Sequence, residues 1–94
     1  MFARISTFQT GPGSRDELSE DTVNQVLQMP GCRGFYYLRG KDNKSLSITL
    51  WDDEEALTAS EQAADKIRSQ VGTEHQMQIL GVEAFEVLTR ELKD

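Results

Sequence analysis

The sequence predicts an α+β domain of the ferredoxin-like type, a four-stranded antiparallel sheet with both helices on one face. Three observations predict it. Ser45–Trp51 alternates strictly, with Leu46, Ile48 and Leu50 on one side and Ser47, Thr49 and Trp51 on the other, which is the period of a strand. The period then switches within two residues to that of a helix: Asp52 is placed to cap it, and Ala56, Leu57, Ala63, Ala64, Ile67 and Val71 recur at helical spacing. Finally, glycine and proline punctuation divides the chain into six elements in the order β-α-β-β-α-β. Right-handed crossovers fold that order into a single sheet.

The opening strand is Phe2–Thr10, with Ala3, Ile5 and Thr7 on one side and Phe2, Arg4, Ser6 and Phe8 on the other. Gly11-Pro12-Gly13 stops it, because proline lacks an N–H and glycine tolerates a sharp turn. Ser14 and Glu17 have the spacing of a capping box, and Leu18, Thr22, Val26 and Met29 then form a helical stripe that Pro30-Gly31 ends. Cys32–Arg39 is a second strand; Phe35, Tyr36 and Tyr37 are consecutive, so their rings project from both faces. Gly40–Lys44 is a polar hairpin loop to the Ser45 strand. Gly72-Thr73 closes the second helix, with Gly72 expected in the left-handed conformation. The last strand, about Met77–Leu88, is apolar on both sides.

Two helices cover one sheet face only. The open face is expected to display Phe2, Phe8 and Trp51, and a patch of that size marks an interface or a ligand site. Two such sheets meeting face to face would bury it and protect the edge strands, so a homodimer is expected.

Size and charge bound the rest. Residues 1–94 form a single domain, and a chain this short buries only roughly 60–65% of its unfolded surface. A net charge of −6 with no basic cluster argues against nucleic acid and against an anionic membrane surface. No apolar run is long enough to span a bilayer, residues 1–10 lack a signal-peptide core, and the single Cys32 fits a reducing cytoplasm. The chain carries no phosphate loop, metal-ligand cluster or nucleophile triad, so neither a cofactor nor a metal is expected. His75 follows a helix end and reads as exposed; Asp52–Glu55 reads as capping charge, since consecutive helical residues point in different directions.

The series PGCRGFYYLRG, then SLSITLWDDEEAL, then the closing VEAFEVL, resembles the antibiotic biosynthesis monooxygenase (ABM) domain family over nearly the whole chain. The resemblance implies a dimeric α+β barrel that binds a small molecule. Some members oxidise phenolic compounds to quinones without metal or flavin, and others cleave haem. The haem-cleaving pattern departs from this chain: Ser6 stands near its strand asparagine, and Ala59 and Ser69 stand near its second tryptophan and its iron-ligating histidine. With no histidine from Asp52 to Val71, haem cleavage is not expected. The quinone-forming pattern uses tryptophan, asparagine, tyrosine and arginine. Here Trp51, Tyr36 or Tyr37, and Arg4 or Arg39 match three parts, and no asparagine is placed for the fourth.

The resemblance therefore implies a cofactor-independent monooxygenase acting on an electron-rich aromatic ligand, with Trp51, Tyr36 and Arg4 as its site residues. A non-catalytic, ligand-binding or stress-associated dimer is the alternative, and a partner-binding module presenting an acidic surface is a third. Each site residue also has a structural reading. Trp51 contributes packing area, a tyrosine satisfies a backbone group, and Arg4 needs either Glu83 or Glu86 as a partner or an anion from outside the chain.

Overall fold

The computed structural model describes residues 1–11, 18–74 and 76–93. The Ser14–Glu17 capping box and His75 lie outside the described residues. Four strands form one antiparallel sheet in the order β2-β3-β1-β4: β1 (Phe2–Gln9), β2 (Cys32–Arg39), β3 (Lys44–Trp51) and β4 (Gln78–Glu86). Helices α1 (Glu20–Leu27), α2 (Glu54–Ala59) and α3 (Glu61–Glu74) lie on one face. This is the ferredoxin-like arrangement, α+β, that the sequence predicts. No helix among the described residues is long and apolar enough to cross a membrane.

Local chemistry sets the element ends. Ser19 caps α1 by accepting the Thr22 N–H at 3.2 Å. The hairpin turns on Asp42 and Asn43, with φ of 58° and 59°, the two left-handed residues a tight two-residue turn demands. Asp53 caps α2, accepting the Ala56 N–H at 2.8 Å, while Asp52, the expected cap, forms an ion pair with Arg33.

The expected single second helix is two. Ser60 interrupts it, leaving α2 and α3 as consecutive pieces. At the far end Gly72 stays helical, and Gln76 takes the left-handed position instead, with φ of 54°. Met77 N–H donates to the Gly72 carbonyl at 2.8 Å and Gln76 N–H to Thr73 at 3.4 Å. That pair is a Schellman closure, and its apolar contact is Met77 on Val71.

The sheet faces are the reverse of the expected ones. Cross-strand neighbours share a side, so Phe2, Arg4, Ser6 and Phe8 lie with Trp51, Thr49, Ser47 and Ser45, and this side carries the helices. Phe8 and Trp51, expected on the open face, are buried, and Phe8 packs on Val71 and Met77. The open face is aliphatic, built from Ile5, Leu46, Ile48 and Leu50 with Tyr36, Leu38 and Phe85. Its outer residues Tyr36, Leu38 and Phe85 are exposed, at 48%, 42% and 48%. Edge strand β4 is exposed along its whole length.

Candidate functional site

Where the sheet meets the helices the contact is incomplete, and a cleft remains. Its empty volume is about 530 Å³ with the open mouth included. Leu18, Thr22, Val26 and Met29 line one wall, which is the stripe read from the sequence. The sheet supplies an unusual floor for a domain interior: Arg4, Ser6, Ser47 and Thr49 among Phe8, Phe35, Tyr37 and Trp51. Polar groups placed there must be satisfied internally or by something that enters.

Arg4 rises from the middle of β1 and is buried, at 6% exposure. Its NH2 donates to the Leu57 carbonyl at 2.7 Å and its NH1 to Ser60 Oγ at 3.2 Å. The helix break explains the first bond. With α2 ended at Ala59, the Leu57 carbonyl is one of the terminal acceptors a helix leaves open. Ser60 Oγ donates to the same carbonyl at 2.8 Å, closing a triangle with the guanidinium. Neither Glu83 nor Glu86 forms an ion pair with Arg4 among the described residues: Glu83 lies opposite Ile5, on the open face, and Glu86 opposite Phe2. The expected carboxylate partner is therefore replaced by a carbonyl and a hydroxyl, both neutral. Burial, and next the nearby Arg68 charge, pull the Arg4 guanidinium below its ordinary value, against the opposing pull of Glu61 and Asp65.

Trp51 is fully buried and lies under Arg4, whose guanidinium carbon is 5.4 Å from the ring centroid, within cation–π range. The indole N–H is already used, donating to Thr49 Oγ1 at 2.9 Å. Tyr36 points away, to the open face, opposite Ile48. Tyr37 enters the cleft in its place, and its hydroxyl lies 3.1 Å from Ser45 Oγ and 3.2 Å from Met77 Sδ. The structure thus brings Arg4 and Trp51 together and sets Tyr36 apart from both.

Two further cleft residues are not among the expected site residues, although the resemblance sets Ser6 near the family's strand asparagine. Arg68 is buried, at 8% exposure, and reaches from α3 to the sheet, where its Nε donates to Ser6 Oγ at 3.1 Å. Its NH1 pairs with the largely exposed Asp65 one turn earlier. The signal was present: Ala64, Ile67, Arg68 and Val71 are spaced i, i+3, i+4, i+7, so Arg68 belongs to the buried stripe. Ser6, the second, is 4% exposed and holds Arg68.

No group of acidic, histidine or cysteine side chains among the described residues is arranged to hold a metal ion. Cys32 is half-buried, and burial raises its thiol above the ordinary range, so it is a poor nucleophile.

Comparison with known proteins agrees with this architecture. A mutant of SnoaB, a cofactor-independent oxygenase from Streptomyces nogalater, superposes with a TM-score of 0.65 at 14% identity over 95% of this chain and 94% of its own. Rv0793 from Mycobacterium tuberculosis gives 0.69 at 19% identity over 95% and 96%. A mutant of MhuD with two manganese protoporphyrin IX bound per active site gives 0.66 at 22% over 99% and 100%. At these identities the likeness speaks to the fold alone. No curated protein matches the chain. The family model described as antibiotic biosynthesis monooxygenase matches residues 1–68, from the first strand through Arg68 and so across the helix-side cleft, and the chain belongs to that family.

Proposed function

We propose that the chain is a homodimeric small-molecule-binding protein whose helix-covered cleft takes an electron-rich aromatic compound and acts on it as a cofactor-independent monooxygenase. One observation carries this reading: the polarity of the sheet is inverted. The side facing the helices holds Arg4, the hydroxyl residues Ser6, Ser45, Ser47 and Thr49, and the rings of Phe8, Phe35, Tyr37 and Trp51, and it receives Arg68 from α3, whereas the side facing solvent is centred on Ile5, Leu46, Ile48 and Leu50. An ordinary domain would place them the other way round. A second sheet covering the aliphatic side, and a ligand using the polar one, make both choices favourable.

The chemistry would rest on the substrate. A phenolic ring system with an acidic CH₂ loses a proton to give an enolate, which the nearby guanidinium charges stabilise. The enolate reduces O₂ directly. Oxidation of CH₂ to C=O releases four electrons, one oxygen atom enters the product carbonyl and the other leaves as water, so no cofactor is consumed. Arg4 would stabilise the anion, Trp51 would hold Arg4 and wall the site, and Tyr37 would take the place expected for Tyr36. No carboxylate or imidazole lines the cleft among the described residues, so the proton of an acidic substrate would pass to solvent water at the open mouth of the cleft.

The alternative is a dimer that binds such a compound without oxidising it. It is favoured by the internal engagement of the Trp51 N–H, the Tyr37 hydroxyl and Ser60. Oxygen uptake separates the two. With an anthrone as probe, the monooxygenase reading predicts one O₂ consumed per quinone formed, above the spontaneous rate and lowered by Arg4→Gln. Binding of the anthrone with O₂ uptake no faster than in buffer leaves the non-catalytic reading.

A further inference from the structure

We propose that the cleft selects its ligand as an anion, holding one anionic oxygen group between the guanidiniums of Arg4 and Arg68 while a flat apolar body lies toward Phe8, Val26 and Val71. This rests on the reading of the cleft as the ligand site and names the class of compound it takes: an aromatic carboxylate or phenolate.

Two buried cations line the same cavity and feel one another, which is unfavourable unless opposite charge is supplied. Among the described residues one countercharge is in contact, Asp65, which sits on the solvent side of Arg68. The hydrogen-bond acceptors of Arg4 among the described residues are neutral, the Leu57 carbonyl and the Ser60 hydroxyl. Among the described residues the pair of guanidiniums is thus one carboxylate short in direct contact, with Glu61 acting on Arg4 through space and not through an ion pair. A guanidinium has five N–H donors, and the described bonds use two on each arginine. Donors remain on both sides.

Placement agrees with this. Arg4 and Ser6 are two residues apart on the same side of β1, about 7 Å along the strand, and Arg68 is pinned onto Ser6. The guanidiniums thus flank a short stretch of the floor, with the Thr49 and Ser47 hydroxyls opposite them on β3. Trp51 steadies one guanidinium and Asp65 the other, so each is preorganised before any ligand enters. The remaining walls are apolar and aromatic, which suits a flat ring. The protein as a whole carries a charge of −6 and repels anions at long range, so selection for an anion has to come from inside the cleft.

The test is calorimetric titration of the whole chain at pH 7 with 2-naphthoate, its neutral methyl ester, and 2-naphthol. The proposal predicts that 2-naphthoate binds at least about tenfold more tightly than the ester, the fold-change expected of a charge-assisted contact. Arg68→Gln should raise the naphthoate Kd to near that of the ester while moving the ester less than about threefold, and Arg68→Lys should restore part of the preference. Arg4→Gln should act like Arg68→Gln; should it fail to fold by circular dichroism, the Arg68 pair carries the test alone. Uptake of 2-naphthol with release of a proton, seen as a buffer-dependent heat, supports the site in its phenolate form. An ester that binds as tightly as the acid overturns the anion site and leaves the cleft as a ligand site. If none of the three binds, both readings are overturned.

Discussion

Gly31→Ala is the substitution whose cost the structure sets most sharply. Gly31 has φ of +82° in the turn between α1 and β2, and a Cβ built there would lie 2.4 Å from the Ala56 Cβ on α2. Two penalties follow from different physics. A side chain in the left-handed region costs about 1–2 kcal/mol, and forcing two carbons that close moves the helix, an overpacking cost of about 1–3 kcal/mol. The sum is about 2–5 kcal/mol. For a domain of this size that lowers Tm by roughly 10 °C or more. Urea unfolding at fixed protein concentration is the assay, since dimerisation would make stability concentration-dependent. Ala56→Gly in the same chain separates the terms. It costs roughly 1 kcal/mol alone as a helix substitution, yet in the Gly31→Ala background it removes the clash, so the double mutant should be more stable than the sum of the singles by about 1–3 kcal/mol. A Gly31→Ala protein within about 0.5 kcal/mol of wild type, or a cycle with no coupling, would refute the reasoning. The site should feel the change too, because α2 carries the Leu57 carbonyl, and Ser60 just beyond it holds Arg4 as well.

Other expectations follow from the same geometry. Phe85→Asp, on the open face, should convert a dimer seen by sedimentation at micromolar concentration to a 10.6 kDa monomer; a wild-type chain that sediments only as the monomer would contradict the proposed dimer. In a double-mutant cycle, Arg4→Met with Glu83→Gln or Glu86→Gln should show coupling below about 0.5 kcal/mol, since neither carboxylate pairs with Arg4; coupling above about 1 kcal/mol would restore the ion-pair reading. Haem added to the protein should give no sharp Soret band titrating to one per chain, because residues 52–71 offer no histidine to iron; such a band would show the assignment wrong.

Much of the fold was legible because its signals are local. The alternation of Ser45–Trp51 and the stripe from Leu18 to Met29 each depend on a few neighbouring residues and appear where the periods put them, and the capping acid falls on Asp53, one residue past the expected Asp52. The choice of face was not local. Alternation shows that Leu46, Ile48 and Leu50 share a side, but which side meets the helices depends on what covers the other, and a single chain's sequence does not contain its partner. The same gap misplaced Tyr36. The pairing of β2 with β3 shifts register between Cys32 and Gly34, so which of two adjacent tyrosines enters the cleft is a tertiary outcome. Arg4 was marked correctly as a charge needing an answer, but the answer is a carbonyl freed by a helix break that the small-residue run Ala59-Ser60 signals only weakly. Arg68 was missed because counting apolar residues passes over a cation in a buried stripe.

The central claim is that the polar, helix-covered side of the sheet receives ligand and the aliphatic side does not. A methyl-resolved NMR titration of the labelled protein with 2-naphthoate tests it directly, because the two sides carry different methyl groups. The claim predicts saturable shifts at Val26, Ile67 and Val71, which line the cleft, with Leu46, Ile48 and Leu50 left in place. Shifts confined to Leu46, Ile48 and Leu50, with the cleft methyls unmoved, would contradict it.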